Sequence, residues 1–236
     1  MLGSGLGVAP APIASSAADP DRIVTRTTIA GRSADRRPIE IIERGDPDSA
    51  TKTLVVGCIH GDEPAGIAVT EQLESTPLPR ETDVWIVEDA NPDGVAVGTR
   101  TNADGVDLNR NFPWHWRPYG QPGNGHYSGP HALSEPESRL LARLVLQLRP
   151  SVSIWFHQPY GLVDESGGNA ALERRFATVA GLPLRRLRRY PGGVTNWENA
   201  RVLGSTAFVV GLPGGAPAPS LIGKVIDAVR SVASRS

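Results

Sequence analysis

The stretch Leu54-Val-Val-Gly-Cys-Ile-His-Gly-Asp-Glu-Pro-Ala-Gly66 decides how this chain folds. An apolar, β-branched run breaks at glycine, presents His60 and Glu63, and enters a helix through Pro64, a residue suited to a first helical turn. This order places an imidazole and a carboxylate at the carboxyl end of a strand, the edge at which open α/β sheets bind ligands. A second apolar run, Val152-Ser-Ile-Trp-Phe156, ends in His157. If the two strands are parallel neighbours, His60, Glu63 and His157 meet at one edge as the three protein ligands of a zinc ion. A histidine three residues before a glutamate reads equally well as a solvated loop pair. The second strand-terminal histidine is what tilts the reading towards a metal, and there is no helical His-Glu-x-x-His arrangement.

Outward from these strands, β-prone runs over Arg22–Ile29 and Pro38–Glu43 predict an edge hairpin, and Val84–Val87 a further strand. Pro64–Glu74, Glu135–Leu148, Asn169–Ala180 and Leu221–Val232 read as helices, and Thr206–Val210 as the last strand. Ser134-Glu-Pro-Glu137 has the form of a capping box, and Gly181 a helix stop. Asn91-Pro-Asp-Gly94 reads as a turn, Gly161–Gly168 as a loop, and Pro191–Trp197 as a flexible approach to a pocket. Strands alternating with helices predict an α/β fold: one domain over residues 21–236, with a mixed, largely parallel central sheet flanked by helices.

The 236 residues carry a formal net charge of -1, which gives no global attraction to nucleic acid or to an anionic membrane. No run is apolar enough for a transmembrane segment. The single Cys58 excludes an internal disulfide and reads as a small buried hydrophobe. Residues 1–20 read as disordered or as the remnant of an export signal, because Ser15-Ser-Ala17 resembles a signal-peptidase site. Export to the cell envelope or medium is the expectation, with a cytoplasmic location as the alternative. The oligomeric state is not readable.

Arg100–Pro113 is polar, turn-forming and dense in carboxylate-binding groups: Arg100 and Arg110 each offer a bidentate fork, and Asn109 adds amide donors. Trp114–Gly129, rich in aromatic residues, proline and glycine, reads as an ordered loop over the site. Its His115 and His126, with His131 beyond it, end no strand and are weak metal candidates. The four arginines of Leu184-Arg-Arg-Leu-Arg-Arg-Tyr190 read as a solvated face or as a preference for an anionic substrate.

Together, His60-x-x-Glu63, Asn91-Pro-Asp-Gly94, Arg100, Gly105-Val-Asp-Leu-Asn-Arg110, the Ser128–Glu137 block and His157 stand in the order of the zinc carboxypeptidases. From about Arg22 onward the chain resembles that superfamily, and within it the bacterial murein peptide amidases, which cleave the γ-D-glutamyl bond to diaminopimelate. The resemblance implies zinc held by His60, Glu63 and His157. It implies that Arg100 polarises the scissile carbonyl, that Asn109 and Arg110 grip a terminal carboxylate, that Tyr190 covers the substrate, and that Thr195 sets side-chain preference. The substrate would be a peptide or murein peptide with a free carboxylate. One departure stands out: the family ends its last strand in a glutamate, the general base, where this chain has Gly211. Glu198 is the nearest spare carboxylate in sequence. Two alternatives follow: a zinc-containing peptide-binding module without catalysis, or a deacylase similar to aspartoacylase.

Overall fold

A computed structural model describes residues 23–233. The export-signal reading of residues 1–20 lies outside them. Eight strands form one sheet: β1 (Val24–Arg32), β2 (Pro38–Gly45), β3 (Lys52–Cys58), β4 (Asp83–Asp89), β5 (Val152–His157), β6 (Tyr160–Asp164), β7 (Leu184–Arg185) and β8 (Thr206–Pro213). Their spatial order is β1-β2-β4-β3-β5-β8-β6-β7. The centre, β4-β3-β5-β8, is parallel, whereas β2 joins β4, and β6 joins β8, in antiparallel sense. The predicted mixed, mainly parallel sheet is therefore what forms.

Central strands covered on both faces need apolar side chains on both, and β3 and β5 have them. Val55, Ile154, Phe156, Phe208 and Val210 face the core under α1 (Ala65–Ser75), α4 (Ala170–Ala180) and α6 (Pro219–Ala233). Leu54, Val56, Trp155 and Ala207 face the core under α3 (Pro136–Leu148) and α5 (Val194–Arg201). The period-2 alternation of a strand thus assigns odd-numbered positions of β5 and β8 to the second face. His157, Val209 and Gly211 lie on it.

Several local readings are corrected. Asn91-Pro-Asp-Gly94 begins a short helix, α2 (Pro92–Val97), in which the Asn91 side chain accepts from Gly94 N at 3.0 Å. Asparagine and proline serve a turn and a helix start alike, so the motif alone does not separate them. Residues 161–168 are not all loop, because β6 completes the sheet beside β8. The capping box does not form: Glu137 turns away to accept from Ala34 N at 2.9 Å and from Asn102 Nδ2 at 3.2 Å, and the N-cap of α3 is Glu135 with no side-chain capping bond. Residues 194–197 are not a flexible approach. They are the first turn of α5, with Val194, Thr195 and Trp197 buried. No helix among the described residues is long and apolar enough to cross a membrane.

Candidate metal centre and its cleft

The parallel pairing of β3 with β5 brings their carboxyl ends together, and with them His60 and His157. Gly61 lets the loop after β3 press against α2, since a Cβ there would lie 1.9 Å from the carbonyl carbon of Gly94. His157 Nδ1 lies 3.1 Å from His60 Nδ1 and 2.8 Å from Glu63 Oε2, and His60 Nδ1 lies 3.1 Å from the same oxygen. Tetrahedral zinc with bonds of about 2.0–2.1 Å sets its ligands roughly 3.3 Å apart, so the triangle needs little adjustment to hold the ion. All three residues are buried, and their donor set could hold a metal.

The residues around the triangle favour that fit. His60 Nε2 is 3.1 Å from Asp107 Oδ1, so a ring proton there leaves Nδ1 as a lone pair pointing at the other two ligands. This is the carboxylate–imidazole arrangement that orients metal-binding histidines and strengthens them as donors. Burial would lower the pKa of His60, but Asp107 outweighs it and the net direction is up. For His157 burial wins over Glu63, which favours the neutral, ligating form. Burial also pushes Glu63 and Asp107 upward, yet their neighbours win: His157 and His60 hold Glu63, and His60, His126 and Arg100 hold Asp107, well below the usual carboxylate range. Sequence reasoning missed Asp107 as a site residue. Its only signal was its place in Gly105-Val-Asp-Leu-Asn-Arg110.

Arg100 bridges the two carboxylates, with Nη1 2.7 Å from Glu63 Oε1 and Nε 3.0 Å from Asp107 Oδ2. Gln158, also unforeseen, holds the triangle's other side. Its N–H donates to Glu63 Oε2 at 3.0 Å, its side-chain oxygen accepts from Ala65 N, and its amide donates to Pro213 O and Gly215 O.

Beside the triangle lies a cavity of about 290 Å³ lined by Glu63, Arg100 and His157 together with Asn109, Arg110, Tyr190 and Thr195. The site residues read from the sequence therefore line one cleft, except His60, which is buried behind it against Glu63 and His157. Asn109 Oδ1 accepts from Val194 N at 3.0 Å, which aims the amide at His157. Arg110 is 7% exposed, its guanidinium stacks 4.4 Å from the centre of the Tyr190 ring, and it has no carboxylate partner among the described residues. Gly192, at φ +75°, permits this packing, because a Cβ there would lie 1.9 Å from the Arg110 carbonyl oxygen. Of the weaker histidines, His126 reaches Asp107 at 3.4 Å, and neither His115 nor His131 joins the triangle.

Gly211 pairs in register with His157, and Val209, two residues earlier on the same face, lines the cavity. A side chain at position 211 would therefore enter the cleft, but its Cβ would meet Tyr160 Cβ at 2.9 Å. A glutamate at this position therefore requires Tyr160 to move. Glu198 does not replace it. Its carboxyl is bound by Ser153 and Ser205, and Ser153 sits four residues before His157, about 13 Å away along the strand.

A family model described as zinc carboxypeptidase matches residues 13–163, more than half of the chain. The chain belongs to the zinc carboxypeptidase family. The match stops before Tyr190, Thr195 and Gly211, so those positions rest on the geometry above. Murein peptide amidase A of Escherichia coli K12 is 29% identical over 61% of this zinc carboxypeptidase chain, and that of Vibrio campbellii 32% identical over 66%. The alignment spans 64% of the former relative's length and 68% of the latter's. Among solved structures, the murein-tripeptide amidase of Escherichia coli O157 superposes with a TM-score of 0.73 at 25% identity, covering 90% of this chain and 93% of that one. Carboxypeptidase A of Helicoverpa armigera gives 0.75 at 18% identity over 89% and 68%, a likeness of fold alone.

Proposed function

We propose that the chain binds zinc through His60, Glu63 and His157 and acts on the amide bond next to a terminal carboxylate, in peptides of the kind that peptidoglycan yields. The observation that carries this reading is Arg110. A guanidinium buried without a counter-charge costs several kcal/mol, and a ligand carboxylate in the shared cavity supplies one. When bound, zinc supplies Lewis-acid polarisation of the scissile carbonyl. Arg100, fixed by Glu63 and Asp107, keeps further N–H groups for the oxygen on which charge develops. Asn109 and Arg110 orient the carboxylate, Tyr190 and Thr195 wall the cavity, and the names of the relatives support murein peptides as its occupants.

Position 211 qualifies the reading. No carboxylate stands where the family resemblance places the general base, so turnover is slow, while binding does not depend on that group. This favours a second reading, a peptide-binding module that holds its ligand uncleaved. The test is product analysis by mass spectrometry on murein tripeptide, ordinary peptides and N-acyl amino acids, each also offered with its carboxylate amidated. The zinc-loaded chain is compared with a Gly211→Glu/Tyr160→Gly variant. Release of the carboxylate-bearing residue, lost on amidation, is expected. Equal handling of amidated peptides would rule out the role of Arg110, and binding without products from either protein would establish the second reading. For the native gene product we propose export, on the strength of Ser15-Ser-Ala17. An intact segment 1–18 found only on cytoplasmic protein would overturn that.

A further inference from the structure

Glu63 belongs to the walls of two cavities that share no other residue. In the first, Arg100 is paired with Glu63 and Arg189 with Asp164 at 2.6 Å. Arg110 and Arg188 remain without a carboxylate partner among the described residues, so this side is cationic. The second cavity, about 620 Å³, is walled by proline, alanine and glycine, with Gln158 and two acids, Asp62 and Glu63. Gln158 spends its amide on Ala65, Pro213 and Gly215, and Glu63 is held by Arg100. That leaves Asp62, which is exposed and makes no ion pair or hydrogen bond among the described residues. Asp62 also lines a third opening, of about 310 Å³, beside Arg100. Of these two openings only the wide one shares a wall residue, Glu63, with the triangle, and Asp62 lines both.

A peptide whose carboxylate sits at Arg110 and whose scissile bond lies at the triangle must send its acyl part past Glu63. Asp62 is the adjacent residue, one Cα–Cα step of about 3.8 Å away. We propose that Asp62 binds a free amino group on the acyl side, one or two residues from the scissile bond. The cleft then selects short, unblocked peptides that carry an amine at one end and a carboxylate at the other. This rests on the carboxylate role of Arg110 and goes beyond it, because recognition of the terminal carboxylate alone would be indifferent to what blocks the amine.

The two claims separate in one experiment. Trialanine, N-acetyl-trialanine and trialanine amide are titrated into the zinc-loaded chain and its Asp62→Asn and Asp62→Lys variants, with dissociation constants read by NMR. The native chain should bind trialanine about fivefold more tightly than its acetylated form, the scale of a partly exposed ion pair, and high salt should shrink the difference. Asp62→Asn should equalise the two, and Asp62→Lys should reverse their order. Asp62 is exposed, so both variants should melt like the parent. Indifference to acetylation in the native chain, or a preference that persists in Asp62→Asn, overturns the proposal. Indifference to amidation overturns the role of Arg110 instead, and failure of all three probes to bind overturns both.

Discussion

Gly211 and His157 are in-register partners on adjacent parallel strands, so a side chain at 211 would stand on the face that carries the His157 imidazole, about 4.8 Å from it. That position suits a group meant to act on whatever the triangle activates, and here it holds no side chain. The Tyr160 ring leans over the glycine instead. Gly211→Glu alone is expected to destabilise the fold by about 1–3 kcal/mol through overpacking, and to recover turnover only in part. Combined with Tyr160→Gly, it should raise kcat by about 10² to 10⁴, the usual contribution of a general base. Melting curves and steady-state kinetics of the three proteins decide it. If parent and double variant turn over equally fast, position 211 has no part in catalysis.

Asp107 touches no substrate cavity, yet it positions His60. Asp107→Asn keeps the shape and removes the charge, so zinc affinity should fall by about 10- to 100-fold with little change of fold. Competition against a chelator measures this. Unchanged affinity would mean that Asp107 serves only to anchor Arg100.

Arg110→Met should separate binding from stability. Removing a buried, unmatched guanidinium in favour of an apolar chain of similar length is expected to leave the melting temperature unchanged or higher. Affinity for a peptide with a free carboxylate should drop about 10- to 100-fold, the loss of a charged hydrogen bond, while that for the amidated peptide stays put. A parallel loss for both peptides would place Arg110 in folding rather than recognition.

Glu198 predicts a pH dependence unrelated to the metal. Burial pushes its carboxyl from the ordinary 4.5 up to about 7, while Ser153 and Ser205 pull the other way. Between these values the folded chain holds a proton that the unfolded chain has released, so stability falls as pH rises through that window. The full loss is about 3 kcal/mol. Glu198→Gln should flatten this part of the profile and be the more stable protein at pH 8. Denaturant titrations from pH 4.5 to 8 test it, and identical slopes for the two proteins would refute the assignment.

What the sequence disclosed follows the physics of each element. Strands β3 and β5 were legible because burial on both faces demands uninterrupted apolar runs, and their terminal histidines were legible with them. The cleft residues from Arg100 to Arg110 stood out as polar groups in a segment with no period. Position 211 was readable as a departure, but the obstacle at Tyr160 was not, because β6 reaches Gly211 only through a long-range antiparallel pairing. Asp107 and Gln158 escaped notice for a related reason: the contacts that tie them to the metal ligands, Asp107 to His60 and Gln158 to Glu63, span 47 and 95 residues, beyond any local pattern. Glu198 looked available because it is near the cleft in sequence, whereas α5 carries it to the opposite end of the strand.

Gln158 also makes the cleft rim behave as a single mechanical unit. One residue fastens the start of α1, the end of β8 and the carboxylate of Glu63, so a guest that spreads the glycine-rich rim at 214–215 loads the same residue that steadies a metal ligand. Filling the wide cavity and steadying the metal ligand thus draw on the same residue, and any factor by which a guest changed ion affinity would be returned by the ion to the guest.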